Sequence, residues 1–374
     1  MSEPRSTDRS VRRRTVGIAA ATVFAAAVGA GCGGGGTDDV DPGGASAAAT
    51  SPSFTLAWSE YPSWSAFGVA EQLGLIDGER GKRGSVEEAH NVDIVLRLLD
   101  YDACLQAYGT GSVDAVCITN MDVLAPALGR PTVAVLPTSR SVGADALIVT
   151  EAVADLAALK SIPTYGLSQS VSEYCFVRNL ELLGEDPADY EFVNRDPGAA
   201  AQAMMLGSGD VQSIVVWNPF VLQTLERVEG SRRLFDSSSI PGEILDLVAM
   251  SRESLESDGG TRFVRALADA FFQIGAAIED PATRNATLVA LGEKFSSLDA
   301  EAMAQCVEET AFYGGPAEAE ALFGGDDLPA IMERVVGFCV DRDIVDRRPV
   351  IGFGPDATGD LVFDASHLAP VTRP

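Results

Sequence analysis

Histidine is almost missing from this chain of 374 residues: His90 and His367 are the two it has. A hydrolytic triad therefore lacks its base, and a metal site lacks ligands. No HExxH, GxSxG, CxxC or strand-to-helix GxGxxG occurs either, so nothing asks for catalysis, a metal or a cofactor. Basic residues are scarce, 27 against 54 acidic ones. Without residues 1–31, which hold five arginines against Glu3 and Asp8, 22 basic and 52 acidic side chains remain, a net charge of −30. Such a surface repels nucleic acid, and no basic stripe offsets it. It suits a solvated acidic face in a salty medium. Cysteine supplies no framework: after Cys32 come Cys104, Cys117, Cys175, Cys306 and Cys339, an odd number without close spacing. Their apolar contexts suit buried small hydrophobes, with a Cys306–Cys339 bridge between C-terminal helices left open. Long apolar runs are missing too. Val16 to Val28 falls short of the roughly 20 residues of a membrane span.

That run has another use. Arg12, Arg13 and Arg14 precede it, and Gly29, Ala30 and Gly31 follow it, directly before Cys32. A basic start, a short apolar stretch and small residues mark an export signal. The segment resembles a bacterial lipoprotein signal, in which the cysteine becomes the lipidated first residue, although Gly29 stands where that pattern favours Leu. The arginines also resemble a twin-arginine signal. A plain secretory signal with an incidental Cys32 is the alternative. Residues 1–31 are expected to be a signal peptide and residues 32–53 a flexible tether rich in Gly, Ser and Ala. Asp38, Asp39 and Asp41 read there as linker charge, since the other positions of a calcium loop are missing.

The remainder is organised around a repeat. Ala107–Asp122, AYGTGSVDAVCITNMD, is echoed by Met205–Pro219, MLGSGDVQSIVVWNP. Without a gap, Gly109 meets Gly207, Gly111 meets Gly209, Val113 meets Val211, Val116 meets Ile214 and Asn120 meets Asn218. Each copy reads as a helix ended by a glycine, a short turn, then a β-branched strand with a polar tip. Ligands of open α/β sheets sit at the carboxyl ends of strands. Two such units imply two α/β lobes facing one cleft, unless the match is chance.

Along the chain, Phe54–Ser59 reads as a strand, followed by the loop EYPSW and a helix over Ala66–Leu73. Ile94–Leu99 is a second strand, Asp102 a cap for the helix to Tyr108, and Asp114–Ile118 a third strand. Thr132–Pro137, Asp145–Val149, Ile162–Tyr165, Tyr190–Val193, Gln212–Trp217, Leu234–Asp236 and Asp246–Met250 read as further strands. Gly166–Ser172 opens a helix through Leu183. Its free N–H groups suit a polar ligand, although any one serine serves equally as an ordinary cap. Phe263, Val264, Leu267, Phe271, Ile274 and Ile278 repeat at helical spacing, as do Ile331, Val335, Val336, Phe338 and Cys339. Val350–Phe353 and Asp360–Phe363 read as a hairpin or an irregular wrap.

All three tryptophans stand at strand ends: Trp58, Trp64 and Trp217. Aromatics there suit a cleft that encloses a small ligand, though any single one equally suits a core. Taken with WSEYPSW, YGTGSVDAVCITNMDVL, SQSVSEY, VVWNPF and FDSSSIPGEILDL, the chain resembles, over about residues 54–365, the periplasmic solute-binding proteins of ABC importers. The type is that for nitrate, sulfonate and taurine, and TNMD, WNP and SSSIPGEI point to the branch associated with urea carboxylase gene regions. The resemblance implies an α/β, two-lobed periplasmic-binding-protein type II fold with two crossover strands and extra C-terminal helices. Lobe I would comprise residues 54–145 and 246–374, and lobe II residues 146–245. It implies a monomer at the cell surface or in the periplasm, anchored to a membrane through a lipidated Cys32, that delivers a small solute to an ABC permease and ATPase. The expected ligand residues are Trp58, Tyr61, Trp64, Asn120 and Asp122 from lobe I, and Ser170, Ser172, Trp217 and Asn218 from lobe II. Glu243 is added from the return crossing, with Asp145 read as a hinge residue, while Asn120 and Asn218 serve equally to tie down loops. Carboxylates and tryptophans without Arg or Lys favour a urea- or guanidine-like solute over an anion such as taurine, sulfonate or nitrate. A sensor without a permease, or a pyrimidine-synthase-like enzyme using a cleft histidine, are the other readings.

Overall fold

The first strand, β1 (Ser53–Trp58), arises from the apolar stretch SFTLAW, with five of six residues buried. Strands covered on both faces read as such unbroken runs. In the computed structural model, which describes residues 51–368, β1 is followed by β2 (Asp93–Leu98), β3 (Ala115–Thr119) and β4 (Thr132–Arg140). Residues 141–144 then carry the chain into a second sheet. That sheet holds β5 (Asp145–Val149), β6 (Thr164–Gly166), β7 (Phe192–Asn194), β8 (Ser213–Trp217) and β9 (Arg232–Asp236). Residues 237–244 lead back to β10 (Leu245–Ser251) in the first sheet, which β11 (Ile351–Phe353) and β12 (Leu361–Phe363) complete. The orders are β11-β12-β4-β10-β3-β1-β2 and β7-β6-β8-β5-β9. Only the strands next to the crossings are antiparallel: β10 to β3 and β4, and β5 to β8 and β9. The result is two α/β lobes joined by two crossing strands, with further helices at the C-terminal end.

The expected signal peptide, residues 1–31, its Cys32, and the tether up to residue 50 lie outside the described residues. The repeat is present, with a correction. The strands keep the ungapped register, Ala115–Thr119 against Ser213–Trp217, but the turns do not. The left-handed residue is Gly111 (φ 74°) in one copy and Gly207 (φ 63°) in the other. Each closes its helix alike, Ser112 N donating to Ala107 O and Ser208 N to Ala203 O, as in a Schellman turn. The second copy thus carries an insertion between cap and strand.

Two other expectations are corrected. Asp102 lies in the first turn of the helix Tyr101–Gly109, and Asp100 holds the cap position. The C-terminal strands make no hairpin: β11 is parallel to β12, which is parallel to β4. The cysteines follow their apolar contexts: Cys306 and Cys339 are both free and buried, with no bridge between them. The helix Gly260–Glu279 buries Phe263, Val264, Leu267, Phe271, Ile274 and Ile278, as their spacing requires. Phe263 stacks on Phe54 of β1 at 5.0 Å, and Phe271 meets Phe67 at 6.1 Å. Each such side chain contributes about 1.5–3 kcal/mol to the packing of lobe I.

Candidate functional site

The two lobes meet at the carboxyl ends of β3 and β8, and the meeting point is pseudosymmetric. Thr119, the last residue of β3, lies opposite Asp246 of β10; Trp217, the last residue of β8, lies opposite Asp145 of β5. Each repeat strand therefore ends beside an aspartate at the start of a crossing strand. These four residues, with Tyr61, Trp64 and Tyr101 from lobe I, line a narrow cavity of about 10 Å³ closed by Val171 and Ile244. Such a space holds about one water molecule. A wider groove between the helices Phe220–Arg227 and Ala300–Thr310 is edged by Glu226, Asp299, Glu301 and Gln305. Those four side chains are exposed, and no aromatic joins them, which leaves the enclosed cavity as the candidate site.

Four rings form its wall. Tyr61 and Trp64 are 4.9 Å apart, Trp64 stacks on Tyr101 at 5.4 Å, and Tyr101 meets Trp217 edge-on at 5.6 Å. Tyr101 is held from behind, its hydroxyl donating to Asp122 Oδ2 at 2.7 Å. Thr119 Oγ1 donates to the same oxygen at 2.9 Å, and Asp122 N donates back to Thr119 Oγ1 at 3.0 Å. Asp122 is thus the buried anchor of the aromatic wall rather than part of its surface.

Three carboxylates, Asp122, Asp145 and Asp246, are buried within this region. Burial raises the pKa of Asp122 to about 6, against hydrogen bonds from Tyr101, Thr119 and the Val171 N–H of the facing lobe. Burial raises Asp145 to about 7, with Ser141 opposing and Asp122 adding repulsion. Asp246 is pushed well above the ordinary carboxylate range by burial and by Asp145, despite the Ser139 hydroxyl. Ser139 and Ser141 each donate to their aspartate at 2.6 Å. No arginine or lysine lines the cavity among the described residues. The site is short of positive charge, and burial holds its carboxylates poised between protonation states. Buried donors are present as well: Trp64 Nε1 and the Tyr61 hydroxyl form no hydrogen bond of good geometry.

The sequence-expected residues divide into three groups. Tyr61, Trp64 and Trp217 line the cavity. Asp122 supports it from behind, and Ser172 is buried beside it, in the first turn of the helix Val171–Leu182, with its Oγ unpaired. The others are used elsewhere. Trp58 is a core residue, 2% exposed and outside the cavity wall. Ser170 is spent on capping: its hydroxyl donates to Leu167 O at 2.8 Å and accepts from Ser172 N at 3.1 Å.

Asn120 turns to the return crossing, Nδ2 donating to Glu243 O at 3.1 Å and Oδ1 accepting from Leu245 N at 3.0 Å. Asn218 N donates to Ala144 O of the outgoing crossing at 2.9 Å, and its Nδ2 to Glu309 Oε2 at 2.8 Å. The Asn120 side chain therefore fastens the return crossing, whereas Asn218 holds the outgoing one through its backbone N–H alone, its Nδ2 going to Glu309 and its buried Oδ1 staying unpaired. Tyr101, Thr119 and Asp246 are lining residues that sequence reasoning missed, and Asp145 does more than serve a hinge. The available signal was a pair of aspartates, each at or next to the start of the strand by which the chain enters a lobe.

Glu243 lies outside the cavity as the centre of an interlobe clamp. It takes Arg178 Nε at 3.1 Å and Arg334 Nε at 3.2 Å, and the Tyr174 hydroxyl also donates to it. Burial pushes its pKa up, but Arg178 and Tyr174 outweigh this and hold it below the ordinary value. Glu243→Gln is expected to lower stability by about 1–3 kcal/mol, read as a shift of the urea midpoint with an unchanged slope.

No protein-family model matches the chain, and no curated protein matches it in sequence. Solved structures do. The alkanesulfonate-binding protein SsuA of Xanthomonas axonopodis pv. citri, bound to MOPS, superposes with a TM-score of 0.63 at 16% identity, over 80% of this chain and 96% of that one. The periplasmic aliphatic sulphonate-binding protein SsuA of Escherichia coli gives 0.64 at 17%, over 79% and 94%. A Candida albicans gene product with the generic periplasmic binding protein fold gives 0.57 at 13%, over 78% and 90%. At these identities the likeness is one of fold, and the fold is that of the periplasmic binding proteins.

Proposed function

We propose that this chain is an exported solute-binding protein that captures a small nitrogen compound, urea- or guanidine-like, between its lobes and delivers it to an ABC permease. The observation carrying this reading is the cavity wall: four aromatic rings and buried aspartates, without a basic side chain among the described residues. Aromatic faces and carboxylates attract a guanidinium. The same carboxylates with the Trp64 and Tyr61 donors match the N–H groups and carbonyl of a urea. Lobe I (54–145 and 246–374) and lobe II (146–245) would close over the solute by bending at residues 141–144 and 237–244. TNMD, WNP and SSSIPGEI support placement beside the urea-carboxylase-associated proteins. His90 pairs with Asp269 and His367 with Asp364, both away from the cavity, which counts against the pyrimidine-synthase-like reading. Acylation of Cys32, read by mass spectrometry of the mature N-terminus, tests the membrane anchor.

The second reading is a sulfonate, favoured by what the two bacterial neighbours are named as binding. Titration calorimetry with guanidinium, urea, taurine, methanesulfonate and nitrate separates the two, and tight binding of the anions alone overturns the nitrogen-compound reading. The pH dependence has opposite signs. A cation binds the ionised carboxylates, so its affinity rises with pH through the Asp122 and Asp145 values of about 6 and about 7. The slope is about tenfold per pH unit for each proton released. A sulfonate would weaken over the same interval.

A further inference from the structure

The repeat diverges at its asparagine. Asn120 spends its amide on the backbone of the return crossing, at Glu243 O and Leu245 N. Asn218, its counterpart, turns its amide nitrogen to a side chain instead, that of Glu309 in the helix Ala300–Thr310. The end of that helix is rooted in lobe I, where Arg140 N donates to Ala311 O at 3.3 Å and Val142 N to Glu309 O at 2.7 Å. The Glu309 carboxylate reaches over to lobe II, and Arg233 Nη2 of β9 donates to both its oxygens at 2.8 Å. We propose that Glu309 is the releasable latch of the two lobes: lobe II swings about the return crossing and parts from the helix Ala300–Thr310 by giving up Arg233 and Asn218.

The return crossing is the better held of the two, by the Asn120 amide and by Glu243 between Arg178 and Arg334. On the latch side the lobes already stand apart. The groove between the helices Phe220–Arg227 and Ala300–Thr310 measures about 390 Å³, and Gln305 in its wall is a further donor to Glu309. The Gln223 amide, which donates to Ser296 O, also joins the lobes on this side. The latch combines strength with a cost. The Glu309 and Arg233 side chains are 13% and 22% exposed, sheltered enough for their charge-assisted pair to exceed an exposed one. Against this, Arg233 Nε and Asn218 Oδ1 are buried with no hydrogen bond among the described residues. Unpaired buried groups oppose closure. Opening returns both to water, so the latch is poised rather than locked.

The test measures the groove and needs no solute, so its failure is separate from failure of the nitrogen-compound reading. Spin labels on Glu226→Cys and Glu301→Cys, exposed positions on opposite walls of the groove, report its width by pulsed electron paramagnetic resonance. The chain carries Cys32→Ser, and its other cysteines are buried. Glu309→Gln is expected to raise the ratio of longer to shorter distances by about tenfold or more. Glu309→Arg combined with Arg233→Glu rebuilds the pair in reverse and is expected to restore the shorter distance, a rescue that a mere packing role would not give. Glu243→Gln is expected to lower stability and leave the ratio unchanged. The inference is overturned by a ratio in folded Glu309→Gln within about threefold of the wild type, by a reversed pair that stays open, or by equal opening in Glu243→Gln. Should Glu309→Gln fail to fold, Arg233→Lys keeps the charge but loses the hold on both oxygens. A smaller rise of the same sign is expected there, and no rise overturns the inference.

Discussion

Asparagine in place of Asp246 or Asp145 is expected to weaken binding of a small cation by about 100-fold or more, while making the unliganded protein more stable at alkaline pH. Both carboxylates are at most 2% exposed and line the cavity. A cation bound there would face an oxygen that has lost most of its water, and removal of that charge leaves the cation desolvated without its partner. The stability effect has the opposite sign. Asp145 has a folded-state pKa of about 7 against the ordinary 3.8. Its contribution is full below 3.8 and is lost as the pH rises through about 7. Keeping it ionised in the empty site costs of order 4 kcal/mol, which asparagine avoids. Melting temperatures of the wild type and Asp145→Asn should therefore converge in acid and separate in alkali, the variant being higher. A variant that instead binds methanesulfonate more tightly, with no cation affinity in the wild type, would assign the carboxylates to excluding other ligands from an anion site.

Asn120→Ala is expected to cost about 2–4 kcal/mol of stability. Its amide satisfies Glu243 O and Leu245 N, and its backbone N–H donates to Leu245 O at 2.9 Å. The side chain is fully buried, so alanine strands a donor and an acceptor without access to water. The same contacts set the path by which β10 leaves the crossing and delivers Asp246. Solute affinity is therefore expected to fall about tenfold even though Asn120 is not in the cavity wall. Urea denaturation gives the stability change, and calorimetry at a temperature where the variant is folded gives the second. Asn120→Asp keeps the acceptor for Leu245 N but sets a buried carboxylate against Glu243 O, so at neutral pH it should cost at least as much as alanine and recover in acid.

The sequence by itself determined what depends on neighbouring residues. Strand content followed from unbroken apolar runs, the Gly260–Glu279 helix from its buried spacing, and the existence of two similar lobes from the repeated cap and strand. The aromatic part of the cavity was legible too, because Tyr61 and Trp64 lie in one loop and Trp217 ends a repeat strand. Tertiary structure decided which polar groups face the solute. Asn120, Asn218, Ser170 and Glu243 have the same residue chemistry as ligand groups, but Asn120 is bound to a crossing segment, the Asn218 amide nitrogen to Glu309, Ser170 to a helix turn and Glu243 to arginines. Asp145 and Asp246 are ordinary strand residues in sequence, 101 positions apart. Antiparallel pairing sets each beside the tip of a repeat strand. Removal of water by the packed lobes then raises their pKa, and desolvation is a property of everything around a side chain rather than of the side chain itself.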